Sequence, residues 1–585
     1  MARKAAGASR VAFFSAQVSK RMIQPSPAIV AQDAVLRLPR WVLWLCCIAY
    51  VLAGSLGREP WRHPDLSAYG VMSDIASGQS TWMAPTLAQI QPETDALLPY
   101  WLGAAAIKLG SPWIEPALAA RLPFMALLLI TLIAVWYGAY HLARSARAQP
   151  VAFAFGGEAQ PVDYARALAD GAMLACIACL GLAQLSHETT PALTQLCASA
   201  TLFYSVAALP SRHLLGGLLA GLSLFTLTLS GAPTLSFALG AGAGLLYLAL
   251  PAARPEDPGR PLAAAWTLLA LAALSAGLAH GLDLWRWRLD GGPVDPDEWR
   301  SWGQLLIWFT WPAGPLVLWA LWKWRRQWMH WHEASAHVVM PLWFVLVCML
   351  SALLTPNSER SLLLALPAMA ALAAFALPTL RRSVAALIDW FTLVFFTGCA
   401  VVIWVVWLSM QTGVPAQPAR NVARLAPGFV HEFSWTLFLL ALIASLSWIG
   451  LIRWRIGRHR TALWKSLALP AGGAVTCWVL LMTLWLPLLD YARSYQPLVA
   501  QAQGLIGKAT TCVSMQGLKQ SQIAALQAVG GYRMQALSPV SDCSWLIVNA
   551  PAAPSPTPET ASAWQLQAAI GHPAIRDEKL FVYRR

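Results

Sequence analysis

The sequence predicts a polytopic all-α membrane protein of about thirteen transmembrane helices, followed by a small C-terminal α/β domain. Three observations predict it. Hydrophobic residues make up 57% of the 585 residues and charged residues only 12%, against a charged share of roughly 25% in soluble domains. Apolar runs of ~20 residues recur, the length that crosses the hydrocarbon core as a helix. After Pro487 the long apolar runs stop and polarity rises.

The runs place candidate spans at 41–56, 117–143, 165–186, 191–209, 213–230, 231–250, 262–281, 305–322, 338–355, 361–379, 384–408, 433–452 and 466–487. Residues 1–40 form a basic N-terminal tail, 41–487 the transmembrane domain and 488–585 a separate outer domain. No small-residue cleavage site follows the first apolar run, so no removable signal peptide is expected. Between 213–230 and 231–250 the break is Gly231-Ala232-Pro233 alone.

The net charge of +14 does not point to nucleic acid. Its positive residues sit in short clusters between apolar runs: Arg144 to Arg147, Lys323 to Arg326, Arg381 with Arg382, and Arg453 to Lys465. With the N-terminus inside, all of these fall on the cytoplasmic side. An odd number of spans then puts 488–585 outside. Residues 97–109 are apolar but short for a span, and counting them as one would move the basic loops outside. They are read as a re-entrant or interfacial helix of the first outer loop, 57–116. The segment Lys323 to His332 reads as a contact with anionic lipid.

In the outer tail, Thr511 to Met515 and Ser544 to Val548 read as strands, 518–529 as a helix closed by Gly530-Gly531, and 550–562 as a Pro/Ala/Ser/Thr-rich loop. Eight cysteines (46, 47, 176, 179, 197, 348, 399 and 477) lie in apolar runs as small core residues. Cys512 and Cys543 fall in the tail, as a disulfide if it is extracytoplasmic or otherwise as two thiols.

The first outer loop is long enough to be functional. Asp65 follows His63-Pro64 and opens a predicted helix through Ser77, closed by Gly78. Leu66, Tyr69, Met72 and Ile75 or Ala76 share one face, as in an amphipathic helix lying flat on a membrane. Asp65 reads either as the cap of that helix or as a carboxylate that orients an acceptor or takes its proton.

This loop resembles a family. Asp65 with Tyr69, Gly78 with Trp82 and Pro85, Tyr100-Trp101, and Arg121-Leu122-Pro123 follow the order seen in GT-C glycosyltransferases of the protein-mannosyltransferase type, nearest the bacterial lipid A aminoarabinose transferase group. Leu227 to Pro233, Asn357 to Pro367 and the tail from Tyr495-Gln496-Pro497 to Tyr583-Arg584-Arg585 are weaker matches, so the resemblance spans nearly the whole chain. Several residues depart from the pattern. Leu66 stands where a second acid is usual. Glu93-Thr94-Asp95-Ala96 replaces an acidic-Lys-Pro triplet, and Ser230 replaces a lysine.

The resemblance implies an enzyme moving a sugar from a polyprenyl-phosphate donor to an envelope acceptor, lipid A, another lipid or protein. Asp65 is then the catalytic carboxylate, with Glu59 as the second candidate. Arg58, Arg62 and Arg360 would stabilise the departing phosphate, or else snorkel among headgroups. His63, Tyr69, Tyr100, Trp101, His187 and Glu188 would line the site, or act as interfacial anchors. No cofactor is certain; a divalent metal on His187 and Glu188 is possible on residue type. No Gly-rich phosphate loop suggests a nucleotide sugar. A transporter would instead carry charges near the midplane of its spans, and a third reading is an inactive scaffold of the same fold.

Overall fold

The computed structural model describes residues 26–585 apart from 252–258, 287–291, 294, 356–357, 458–461, 508–511, 539–542, 550–563 and 576–577. The proline-rich loop 550–562, most of the basic N-terminal tail, Asn357 and Thr511 thus lie outside the described residues. Each of the thirteen predicted spans falls on helix. The first five are α1 (Arg40–Leu52), α4 (Pro116–Ala143), α5 (Pro161–Ala178), α6 (Pro191–Ala208) and α7 (His213–Leu229); the first loop adds α2 (Asp65–Ala76) and α3 (Leu98–Gly110). Among the described residues six helices are long and apolar enough to cross a membrane alone, while α1, α7, Pro233–Ala249 and Leu366–Thr379 are shorter apolar helices. Lipid is the solvent that such a surface requires: Leu387, Trp390, Val394, Ile443 and Leu446 all stand exposed on the helices Arg382–Thr412 and Trp435–Ile456.

Two predicted spans are interrupted. Residues 305–322 are two helices, Pro296–Thr310 and Ala313–Lys323, bent by 89°. Residues 165–186 are helical to Ala178 and then turn through Leu182–Leu185. The two breaks satisfy one another: Leu180 N donates to Trp311 O (3.2 Å) and Gly181 N to Phe309 O (3.0 Å). A Cβ at Gly181 would strike the Phe309 ring, so the approach requires glycine. The weak boundary at 231 is real, since Gly231 has φ +83° and separates α7 from Pro233–Ala249.

The basic loops gather at one end of the bundle. Leu463 N bonds Ala34 O (3.0 Å) and Gln32 N bonds Gly157 O (3.0 Å). Arg147 donates to Ala334 O (2.6 Å), and Trp324 Nε1 to Phe375 O (3.0 Å). The other end carries the C-terminal domain. Its five-stranded sheet runs β2-β1-β3-β5-β4, with β1 Cys512–Gln516, β2 Arg533–Ala536, β3 Trp545–Asn549, β4 Gln565–Gly571 and β5 Lys579–Arg584. β1 lies parallel to β2 and β3, and β5 antiparallel to β3 and β4. Cys512 and Cys543 are bonded, with Cα atoms 5.0 Å apart. The predicted helix 518–529 is Gln520–Ala524 continued by a π turn over Ala525–Val529.

The first loop forms its expected helix, with Gly78 at φ +77° closing it, but not as a flat amphipathic helix. All of α2 from Asp65 to Ile75 except Ser73 is buried, because the C-terminal domain covers the face that would otherwise meet the membrane surface. Gln527 Nε2 reaches Asp74 (3.0 Å) and Gln79 (2.7 Å), and Gln520 Nε2 reaches Gln91 O (2.7 Å). A Cβ at Gly70 would lie 2.6 Å from that of Ala524, so small residues set the closeness of this seam.

Candidate functional site

The loop between α1 and α2 turns back on itself. Leu66 N donates to Trp61 O (2.9 Å), and the first residue of α2 is drawn inward. Pro64 occupies the cap position, so Asp65 is not the cap. Its side chain points away from its own helix and is fully buried. One oxygen accepts Arg58 Nη2 (2.8 Å) and Trp61 N (3.2 Å). The other accepts both Thr189 N (2.7 Å) and Thr189 Oγ1 (2.5 Å). Thr189 lies in the polar turn 186–190, where the break after α5 leads into α6. Burial pushes the Asp65 carboxyl up, but Arg58, Arg121 and Thr189 outweigh it and hold the pKa below the ordinary value. Asp65 is therefore a stable anion and a weak base.

Arg58 shows no side-chain exposure. It donates to His187 O (2.8 Å) and stacks on Trp61, 4.7 Å from the ring centre. Arg121, near the start of α4, donates to Arg58 O. The Nε and Nη1 atoms of Arg58 and the Nε and Nη2 atoms of Arg121 are buried without a hydrogen-bond partner. These four N–H-bearing nitrogens leave the site with buried hydrogen-bond donors to spare beside the Asp65 carboxylate. A cavity of about 10 Å³ opens there, lined by Ser55, Arg121, Ser186, His187 and Thr189 among others. That is room for about one water molecule.

Glu188 stands beside Thr189. It receives Arg360 Nη2 (3.2 Å) and Gln184 Nε2 (3.4 Å), and it is 3% exposed. Burial and the Asp65 charge raise its pKa, with Arg360 and Arg58 opposing. Two neighbouring carboxyl groups thus have affinities pushed apart: Asp65 stays ionised and Glu188 exchanges protons more readily.

The C-terminal segment closes the site. Trp61 Nε1 donates to Asp490 (2.7 Å), whose carboxyl burial pushes up to about 6. Arg493 also packs on the Trp61 ring, at 5.0 Å, and donates to Gln184 (2.8 Å).

Of the predicted residues, the structure joins Asp65, Arg58, His187, Glu188 and Arg360. His187 is not a metal ligand as placed, because Nδ1 meets Ala183 O (2.5 Å) and Nε2 meets Tyr50 O (2.8 Å). Burial also lowers its pKa to about 4. Among the described residues no cluster of three His, Cys, Asp or Glu groups could hold a metal. Glu59 is half-buried, its pKa raised by burial and by Glu115. Arg62 uses its backbone N–H on Arg493 O (2.9 Å), and the exposed His63 faces Ser521 at 3.5 Å. Tyr69 is buried one turn after Asp65, and its phenol is pushed up to about 12 by burial. Tyr100 and Trp101 form a neighbouring group instead, donating to Thr94 O (3.3 Å) and Trp82 O (2.6 Å). There Leu97 N bonds Leu229 O (2.7 Å) and Gly231 faces Asp95 O, so two matched motifs meet.

Sequence reasoning missed Thr189, Trp61, Asp490 and Arg493. Arg121 carried a signal, a lone cation near the start of a long apolar run.

Two crystal structures of one protein share this architecture. The structure of ArnT from Cupriavidus metallidurans bound to undecaprenyl phosphate superposes with a TM-score of 0.56 at 12% identity, covering 93% of this chain and 98% of that one. The fold is that of ArnT. Its apo structure matches with a TM-score of 0.54, the same identity and the same coverage. No family model matches the chain, and no curated protein does. At this identity the likeness is one of fold.

Proposed function

We propose that this chain is a membrane glycosyltransferase that moves a sugar from a polyprenyl-phosphate donor to an envelope acceptor such as lipid A on the periplasmic face. One observation carries the reading: two buried arginines with unpaired N–H groups converge on an ionised carboxylate. Such a set receives a phosphate by bidentate charge-assisted hydrogen bonds. The fold shared with a protein crystallised with undecaprenyl phosphate supports the same donor class.

The residues divide the work. Arg58 and Arg121 stabilise the charge that grows on the departing lipid phosphate as the glycosidic C–O bond breaks. The acceptor oxygen attacks the anomeric carbon from the opposite face, with inversion. Asp65 holds Arg58 and the Thr189 turn in place. Glu188, with the raised pKa, takes the acceptor proton and is a better base than Asp65. The one-water cavity describes a closed state, so donor entry requires Arg58 and its loop to move.

The test is release of polyprenyl phosphate from a labelled donor by the full chain in vesicles. Glu188→Gln should lower transfer by about 10²–10⁴-fold, and because its partner Arg360 keeps 26% side-chain exposure to water it should shift thermal unfolding far less than loss of Arg58 does. Full activity of that variant would end the base assignment, and absence of transfer with every polyprenyl-phosphate sugar tried would end the enzyme reading.

A further inference from the structure

A second cavity lies at the far end of the bundle, where α1 and α5 begin. It measures about 360 Å³, within the range of pockets that take small ligands. Arg40 opens α1 while the Asp65 loop follows its end, and α1 has 13 residues, about 20 Å at 1.5 Å per residue. The cavity is therefore separate from the site above.

Its lining has two characters. Arg37, Arg40 and Arg166 supply three guanidinium groups; Leu43, Ile133 and Met173 supply apolar wall. Arg37 pairs with Asp163 at 3.0 Å but its side chain stays 67% exposed, and Arg166 lies 3.9 Å from the same carboxylate. Arg40 has no hydrogen bond or ion pair among the described residues. Asp170 is the single carboxylate in the lining, and it already accepts Trp136 Nε1 (2.8 Å) and Leu38 N (3.4 Å). Trp44 and Tyr137 flank the mouth, 47% and 42% exposed, where amphipathic rings sit at a bilayer boundary. On α1 the neighbouring Trp41, Leu45 and Ile48 are exposed as well, so the mouth opens onto the lipid-facing surface.

We propose that this cavity is a binding site for an anionic phospholipid. Its phosphodiester sits between Arg40 and Arg166, which match phosphate bidentately, and its chains leave past Trp44 and Tyr137 into the leaflet. A free phosphate would meet the same arginines but would leave the apolar wall uncovered. That wall, and the opening toward lipid, select the amphiphile.

The experiment is native mass spectrometry of the full chain in detergent, with dioleoyl phosphatidylglycerol, dioleoyl phosphatidylcholine or inorganic phosphate added. Phosphatidylglycerol should be retained at least tenfold better than phosphatidylcholine, with no competition from millimolar phosphate. The double variant Arg40→Gln with Arg166→Gln should lose that preference, as should Met173→Trp, which fills the wall and keeps the charges. The variant Arg381→Gln with Arg382→Gln removes two exposed cations elsewhere at the same end and should behave as wild type. Competition by phosphate overturns the lipid assignment. Equal retention of the two lipids, equal losses in the two arginine double variants, or undiminished binding in Met173→Trp overturns the site.

Discussion

The two ends of the bundle handle charge in opposite ways. At the Asp65 end, cations and carboxylates are sealed against one another with space for about one water, and the C-terminal domain locks them in. At the Arg40 end, guanidinium groups border an open cavity of about 360 Å³ and one of them has no ion pair. Sealed charge couples its surroundings, because a buried ion left without its partner has nowhere to find water. Open charge is independent of the fold and free to meet a ligand. The difference is one of burial, since both ends use the same residue types.

The largest test removes a sealed partner. Arg58→Ala strands the Asp65 carboxylate and should cost about 3–5 kcal/mol, read as a lowered unfolding temperature in detergent. Asp65→Asn strands Arg58 by the same argument, so lost activity in that variant alone does not separate chemistry from folding. Next is the seam beneath the domain: Gly70→Val drives a side chain into Ala524 and should cost about 1–3 kcal/mol, with faster proteolysis of the C-terminal domain. A chain unaffected by either change would break the contrast between the ends.

Smaller, and sharper, is the response to pH. Asp74 and Asp490 both titrate near 6 in the fold, chiefly through burial. A carboxyl with a raised folded pKa binds its proton first in the native state, so stability should rise as pH falls from 7 toward 5, by about 1 kcal/mol after solvent screening. Asp65 is shifted the other way; its contribution is present above the unfolded value near ~4 and is lost as pH falls below it. Thermal unfolding across this range should show a rise and then a fall, and Asp74→Asn with Asp490→Asn should flatten the rise. The smallest effect belongs to the open end: Arg40→Gln should change stability by no more than about 0.5 kcal/mol. A loss as large as that of Arg58→Ala would mean that the two ends are not different in kind.

The sequence made the helices legible because a bilayer imposes one polarity on every span. Asp65 through Ser77 was legible too, through Gly78. What α2 packs against was not, because its partners at Ala524 and Gln527 lie some 450 residues away. Charge type located Asp65 and Arg58, but not their mutual seal. The pairing with Thr189 depends on how the break after α5 meets the first loop, which no local pattern encodes. His187 looked like a ligand for the same reason: only the fold brings Tyr50 O to its ring.

The matched interruptions at 179–181 and 309–311 bear on how the chain is built. Each opens backbone groups that hydrocarbon cannot solvate, and each closes the other's. The earlier segment leaves the ribosome more than a hundred residues before its complement, so during synthesis it must wait in a hydrated or chaperoned setting. Biogenesis should therefore be most vulnerable in that interval, and replacing Gly181 should show first as degraded nascent protein before any finished molecule fails.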